Sequence, residues 1–318
     1  MRQQRAVRGA ALLTAMLTVA LVATFAATSL WQQFRSIEVE SAERERVQAA
    51  WVLTGALDWA RLILREDART GGADNLSEPW AVPLAESRLS SFLAADRDNN
   101  ADTSDSASEV FLSGQIVDAQ SRLNVMNLID GNRVSDLGLQ TFGRLFEVLG
   151  LPAAELPVFA NNLRLVLTGA TASGVPLRPQ RVDQLVWLGL TEATLGRLRP
   201  HITVLPFRTP VNLNTAGVEV VYAAIPSLSV AEARQIVEQR TKAPFKSLSD
   251  VGLFMPEIAG QLTESQQSVA SRLFEVYGRL RIDKTVIQEL SLVQRNNLDV
   301  ITVYRERTAL VDNPNASA

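Results

Sequence analysis

The sequence predicts an α+β protein in which a long N-terminal helix packs on an antiparallel sheet and a large all-helical domain is inserted into the sheet domain. Three observations support this: an uncharged run continued by an amphipathic segment, a short candidate strand near residue 110 with period-two strand patterns after 270, and a proline-punctuated helical block between those strands. Because strands precede and follow the helical block, the pattern indicates one interrupted sheet domain rather than two domains in series.

The N-terminus joins a basic leader to an apolar run. Arg2, Arg5 and Arg8 precede the uncharged residues 10–31, which are long enough to cross a bilayer as one helix. Acidic residues follow the run, so the positive-inside bias predicts a cytoplasmic N-terminus and an exported body. A plain signal anchor and a secretory signal peptide are two interpretations, although a secretory signal has a shorter apolar region of roughly 7–15 residues.

The helix is expected to continue beyond the apolar run. Residues 31–67 contain no proline and a single glycine, Gly55, and their apolar residues recur at helical spacing. A helix over 10–67 would be roughly 85 Å long, nearly three times the roughly 30 Å of a bilayer core. Its apolar end, residues 51–64, should therefore be buried on the sheet of a soluble domain.

Short strand patterns flank the helical block. Residues 110–117 are the better strand on the N-terminal side, and residues 84–93 fit either a strand or a helical turn. After the block, apolar and polar residues alternate, which predicts three strands: 274–282, 286–293 and 298–304. Asn296-Asn297 suits a tight turn between the last two strands, and residues 309–318 are expected to be a disordered tail.

The inserted block predicts helices at these positions: 137–149, 153–167, 182–188, 191–198, 216–224 and 230–240. Within it, residues 210–251 begin with Asn-x-Asn-Thr-Ala and resemble the helix-hairpin-helix modules of exported DNA-uptake receptors. DNA-binding forms have a glycine-rich turn whose amides approach phosphate, whereas the turn here, 225–229, has no glycine. Residues 211–260 also carry four basic and five acidic residues, so the positive surplus that phosphate binding needs is missing.

The composition restricts the chemistry. The chain of 318 residues has a net charge of −3, which argues against a polyanion as its main partner. It contains no cysteine, which excludes disulfides, cysteine metal sites and thiol nucleophiles. His201 is the only histidine, so the usual nucleophile–base pairs are nearly unavailable. We therefore predict no catalytic residues and no required cofactor, although a periplasmic enzyme with a carboxylate pair is a third function class.

The leader resembles the class III signal of type IV pilins and type II secretion pseudopilins, because Arg8-Gly9 is followed by Ala10-Ala11-Leu12-Leu13-Thr14. This resemblance implies cleavage after Gly9 by a prepilin peptidase, methylation of the new N-terminus at Ala10, and retention of the apolar helix. Most members of that family carry glutamate at the position of Thr14. Its absence is typical of the minor pseudopilin K family of type II secretion systems.

The resemblance to the minor pseudopilin K family covers nearly the whole chain. Besides the leader and the insert with its helix-hairpin-helix and sterile-alpha-motif-like modules, it is carried by three stretches: 78–81, 116–124 and 210–216. It implies a pilin-like fold and a tip or initiating subunit of the periplasmic pseudopilus, anchored in the inner membrane. The implied partners are other minor pseudopilins, the prepilin peptidase and the inner-membrane secretion platform, and no nucleic acid. A membrane-anchored DNA receptor is the alternative.

The predicted boundaries then follow in chain order: a leader at 1–9, a transmembrane helix at 10–31, the first part of the pseudopilin domain at 32–123, the inserted helical domain at 124–269, the C-terminal strands at 270–308 and the tail at 309–318. One acidic stretch offers oxygen ligands at alternate positions, as calcium requires: Asp96, Asp98, Asn100 and Asp102. Alanines stand where an EF-hand loop has its glycine and its bidentate glutamate, at 101 and 107, so a solvated acidic loop is the alternative.

If residues 96–102 bind calcium, the ion stabilises the folded state by mass action. We then expect a higher melting temperature in millimolar calcium than in chelator, measured on the fragment from about Ser36. Magnesium at the same concentration is the control for ionic strength. Equal melting temperatures across the calcium titration would leave the loop solvated.

Overall fold

The computed structural model describes residues 3–89, 110–169, 177–282 and 285–311. The chain divides into two compact units, Met1–Gly55 and Ala56–Ala318. The sheet and the predicted helical insert both belong to the second unit. The predicted calcium ligands at 96–102 lie outside the described residues, as do residues 312–318 of the predicted tail.

One continuous helix, α1, spans Gln3–Thr70, as the lack of proline predicted. It ends where Gly71 and Gly72 adopt φ angles of 65° and 123°, a conformation that glycine adopts without steric cost. In the first unit, the large apolar side chains between Leu12 and Phe25 are 54–70% exposed. This part of the helix is long and apolar enough to cross a membrane.

In the second unit, the end of α1 contributes one stripe to a hydrophobic core. Leu57, Ala60 and Leu64 recur at helical spacing and join a cluster with five other residues: Trp80, Phe274, Val276, Val293 and Val300. The segment 51–64 carries the predicted buried face, but Trp51 is not part of that face and is 73% exposed. Trp51 lies six residues before Leu57 and therefore on another side of the helix.

The sheet has five antiparallel strands in the order β1-β2-β3-β4-β5. Their bounds are Leu84–Arg88, Val110–Asp118, Leu273–Ile282, Thr285–Asn296 and Asp299–Val311. The central strand β3 pairs with β2, from before the helical block, and with β4, after it. One sheet is thus interrupted by the block, as the strand patterns predicted.

The end of the chain shows one confirmed prediction and one correction. Asn297 adopts a φ of 54° between β4 and β5, as expected of asparagine in a tight turn. The predicted tail starts too early, because β5 extends to Val311. Residues 305–308 are polar, so they lack the apolar alternation that reveals a strand, but they pair with β4 along its length.

The helical block packs around its own core, in which Phe142, Phe146 and Phe159 are buried. Its α-helices have these bounds: α2 Asp136–Val148, α3 Glu155–Leu167, α4 Glu192–Leu198, α5 Val218–Ala224, α6 Val230–Lys242 and α7 Leu248–Phe254. Each predicted helix is present, although Val182–Leu188 is a 3₁₀ helix.

Helix α7 was missed by the sequence analysis, although a local signal for it exists. Ser247 caps its N-terminus by accepting from the Asp250 backbone N–H at 3.2 Å. The Asp250 carboxylate accepts in return from the Ser247 backbone N–H at 3.0 Å. This reciprocal capping box satisfies two donors that would otherwise lack partners at the helix start.

Candidate functional site

The sheet and the helical domain are joined by a buried polar junction centred on Asp118, the last residue of β2. Asp118 is 2% exposed, and it begins the segment that leaves the sheet for the helical domain. Its carboxylate accepts four hydrogen bonds, from Gln120 N at 2.8 Å, Thr215 Oγ1 at 2.6 Å, Ser271 Oγ at 2.7 Å and Asn212 Nδ2 at 3.0 Å. Burial raises the pKa of Asp118, and these hydrogen bonds oppose the rise.

The donors to Asp118 come from different parts of the chain. Asn212 and Thr215 belong to the Asn-x-Asn-Thr-Ala stretch of the helical domain, while Ser271 lies just before β3, where the chain returns to the sheet. Asn212 Nδ2 also donates to the Asp74 carbonyl at 3.1 Å. Asp118 therefore fixes the exit from the sheet, the return to it and the first turns of the helix-hairpin-helix module to one another.

A second cluster extends the junction to the end of α1. Arg295 on β4 forms an ion pair with Asp67 at 2.6 Å and another with Asp74. Asp74 Oδ2 also accepts from Ser271 N at 2.6 Å. Burial raises the pKa of Asp74 to about 6, and the positive charge of Arg295 opposes the rise.

Asp67, Asp74 and Glu78 bring carboxylate oxygens within 4.8 Å of one another, close enough to hold a metal ion. Arg295 already supplies a cation to two of these carboxylates. Glu78 accepts instead from Trp80 Nε1 at 2.6 Å and from Asn75 N at 3.0 Å. The cluster therefore has one positive charge and several hydrogen-bond donors supplied from within the protein, and it acts as a structural network.

Buried amide side chains hold the rest of the junction. Asn127 Nδ2 donates to the Thr209 carbonyl at 2.8 Å, and its Oδ1 accepts from Thr209 N at 3.1 Å. Gln120 accepts from Arg272 N at 2.8 Å and donates to the Pro210 carbonyl at 3.1 Å. These amides pair with backbone groups as a neighbouring strand would, so the oxygen and the nitrogen of both side-chain amides have partners.

The hairpin of the helix-hairpin-helix module, residues 225–229, uses its own backbone amides. Ser227 N donates to Gln261 Oε1 at 3.2 Å and Leu228 N donates to the Ile225 carbonyl at 3.2 Å. Ser229 N donates to the Glu232 carboxylate at 2.7 Å, and position 226 is proline. Since the amides are occupied and a carboxylate lies beside them, the hairpin does not offer the phosphate-binding donors of DNA-binding modules.

The junction does not provide a reaction centre. Ser271 and Thr215 donate their hydroxyl hydrogens to Asp118, which resembles a nucleophile–base pair, but they are only 2% and 8% exposed. His201 lies in a separate 3₁₀ helix, Arg199–His201, where burial lowers its pKa. The arrangement can hold two parts of the protein in a fixed geometry, and its chemistry is structural.

The site residues that the sequence predicted lie outside the Asp118 junction. Gly9 and Ala10 are in α1, and Thr14 is exposed, with its hydroxyl donating to the Ala11 carbonyl at 2.9 Å. Sequence analysis missed the junction, although Asp118 lies in the stretch 116–124 and Asn212 in 210–216. The only local signal for the junction was a polar residue among apolar neighbours. The hydrogen-bond partners of Asp118 are distant in the sequence.

Comparisons with known proteins agree with this architecture. A family model described as type II secretion system protein K matches residues 211–271. The type II secretion system protein K of Pseudomonas aeruginosa PAO1 is 27% identical over 330 residues, covering 95% of this chain and 90% of the relative. One chain of the crystal structure of the GspK-GspI-GspJ complex from enterotoxigenic Escherichia coli has a TM-score of 0.64 at 18% identity. That match covers 84% of this chain and 98% of the other.

The long N-terminal helix, the antiparallel sheet at its end and the helical block within that sheet define a pilin-like fold, whose N-terminal helix is long and apolar enough to cross a membrane. The predicted fold class is therefore confirmed. The matches to protein K over the Asn-x-Asn-Thr-Ala module and over 95% of the chain support the minor pseudopilin K family of type II secretion systems.

The junction predicts a stability difference between two aspartates. Asp118→Ala removes the acceptor that three buried side-chain donors share, which should lower the free energy of unfolding by about 3 kcal/mol or more. Asp130→Ala is the matched control, because Asp130 forms a surface ion pair with Arg208 and its side chain is 72% exposed; we expect a loss of about 1 kcal/mol or less. Chemical unfolding of the full chain in detergent measures both. Equal losses would contradict the proposed importance of Asp118.

Proposed function

We propose that this chain is the tip or initiating subunit of a type II secretion pseudopilus and acts by assembly rather than by catalysis. The observation that carries the proposal is the size and attachment of the helical domain. Residues 124–269 outnumber those of the soluble part of the sheet domain, and the Asp118 junction fixes them to the sheet. Repeating so large a domain at every layer of a filament would crowd neighbouring subunits, whereas one copy at the tip meets no subunit above it.

Thr14 also supports a place at the tip of the pseudopilus. In the pilin family, glutamate at this place is thought to pair with the N-terminal ammonium of a neighbouring subunit, and a carboxylate within a membrane is costly unless it is paired. The Thr14 hydroxyl is satisfied within its own helix by the Ala11 carbonyl. It therefore needs no partner, which suits a subunit with no earlier subunit above it.

The exposed face of α1 beyond the apolar run supports assembly through helices. Trp31, Phe34, Ile37 and Trp51 are 60–73% exposed, and exposed apolar residues of this size on one helix indicate a protein or membrane contact. The similar crystal structure contains GspK together with GspI and GspJ. By analogy, we infer that smaller minor pseudopilins cover the face between Trp31 and Trp59 of this chain.

The same proposal sets the topology and the processing. The positive leader places the N-terminus in the cytoplasm and the body in the periplasm, with the inner-membrane platform and the prepilin peptidase as further partners. Cleavage falls between Gly9 and Ala10. The membrane-anchored DNA receptor has less support, because the hairpin amides are occupied and its module lacks a positive surplus.

Processing is tested by intact mass of the membrane-extracted protein. We expect the mature chain to begin at Ala10 with an added methyl group, and Gly9→Val to retain the leader, because the peptidase cleft needs a residue without a side chain. Gly55→Val is the control, since a Cβ at Gly55 has no atom within 4 Å. A wild-type mass that begins at Met1, or near Thr28, would show that this signal is not used.

Tip assembly is tested with soluble domains that lack residues 1–30. Mixed with the smaller minor pseudopilins of the same secretion system, this chain should form a defined hetero-complex with one copy of itself, measured by size exclusion with light scattering. Phe34→Glu should weaken the complex at least tenfold. Leu253→Glu, at an 80% exposed position on α7, should leave it unchanged. Homopolymers of this chain, or no association with any partner, would reject the tip assignment.

A further inference from the structure

We propose that three carboxylates at the end of α1 form a proton-binding site that stabilises the connection between α1 and the sheet in mildly acidic surroundings. The site consists of Asp67 in the last turn of α1, Asp74 in the loop that follows, and Glu78, two residues before Trp80. One carboxylate oxygen of each lies within 4.8 Å of the other two. This proposal does not depend on where the subunit lies in a filament.

The site carries more negative than positive charge. Arg295, on β4, pairs with Asp67 at 2.6 Å and also with Asp74. Glu78 forms no ion pair with the residues that the structure describes, and it accepts instead from the neutral Trp80 Nε1 at 2.6 Å. One guanidinium therefore serves two carboxylates, and the third carboxylate beside them has no separate cation.

A fourth carboxylate lies next to the site. Ser271 donates its backbone N–H to Asp74 at 2.6 Å and its hydroxyl to Asp118 at 2.7 Å, so one residue separates the two aspartates. Arg122 also faces Asp118, but it pairs with Glu275 at 2.6 Å and its charge is directed mainly to that residue. Asp118 therefore adds to the negative charge around Asp74.

Asp74 is the group that takes the proton. It is 2% exposed, so water does not solvate its charge, and neighbouring carboxylates disfavour the ionised form further. Burial raises the pKa of Asp74 to about 6; Arg295 opposes the rise and Asp118 adds to it. Burial also raises the pKa of Glu78, and the charge of Asp67 adds to that rise.

The sign of the effect follows from the two states of the chain. The pKa of Asp74 in the folded protein lies above its ordinary value of 3.8, so the folded state binds the proton more tightly than the unfolded chain does. Asp74 therefore adds to the free energy of unfolding as the pH falls through about 6, and the addition is complete below 3.8. A protonated carboxyl also has an O–H to donate, which places one donor among the acceptors of the site.

The test compares wild type with Asp74→Asn, whose amide has a similar shape and does not titrate. Chemical unfolding of the full chain in detergent, with a chelator present, is measured at pH 7.5 and pH 5.0. The unfolding equilibrium constant of wild type divided by that of the variant should be about tenfold smaller at pH 5.0, because only wild type binds the extra proton on folding. A purely structural role for Asp74 would give the same ratio at both pH values.

Asp130→Asn is the matched control, because the Asp130 side chain is 72% exposed in its ion pair with Arg208. Its ratio to wild type should change by less than about twofold between the two pH values, as expected of an exposed pair. A ratio for Asp74→Asn that does not change with pH, or that is larger at pH 5.0, would overturn the proposal.

A second measurement uses the unaltered protein, so it does not depend on whether a variant folds. The full chain in detergent is labelled with carbon-13 at the aspartate side-chain carboxyls and titrated by nuclear magnetic resonance. Exposed aspartates should titrate near pH 4, and the Asp74 resonance should have its midpoint near pH 6. That resonance should be absent from Asp74→Asn and present in Asp130→Asn. If no aspartate of the folded wild type has a midpoint above pH 5, the proton-binding site is rejected.

Discussion

The architecture depends on one buried carboxylate at the place where the chain passes between the sheet and the helical domain. Asp118 has lost its contact with water, and its burial is tolerated because four donors from three segments of the chain converge on it. Ser271 carries this connection on to Asp74, and Arg295 then reaches Asp67 near the end of α1. The anchor helix, the sheet and the inserted domain are thereby linked through one hydrogen-bonded network.

Such a junction suits an assembly subunit. A filament subunit transmits position from its helix to its head, and a head that swung freely would present no constant surface to its neighbours. Hydrogen bonds impose direction as well as proximity, so the polar junction fixes orientation in a way that the small apolar cluster around Leu205, Leu273 and Leu292 would not by itself.

The helix-hairpin-helix module shows why a motif needs its structural context. Here Asn212 and Thr215 bond to Asp118, while Asn214 pairs with the backbone of Phe245 through both of its amide atoms. These polar residues form hydrogen bonds that hold the module in place. Because the hairpin amides are also hydrogen-bonded within the protein, the module acts as a packing element and not as a phosphate-binding site.

The sequence by itself determined the features that short-range periodicity encodes: the long α1, the alternating strands after 270, the Asn296-Asn297 turn and most of the helices. Each depends on residues within a few positions of one another. Only the tertiary structure decided that Trp51 is exposed, that the polar end of β5 is a strand, and that Asp118 is the centre of the junction. The reason is distance along the chain: Asp118 bonds to Ser271, 153 residues away, and no local pattern records a partner so remote.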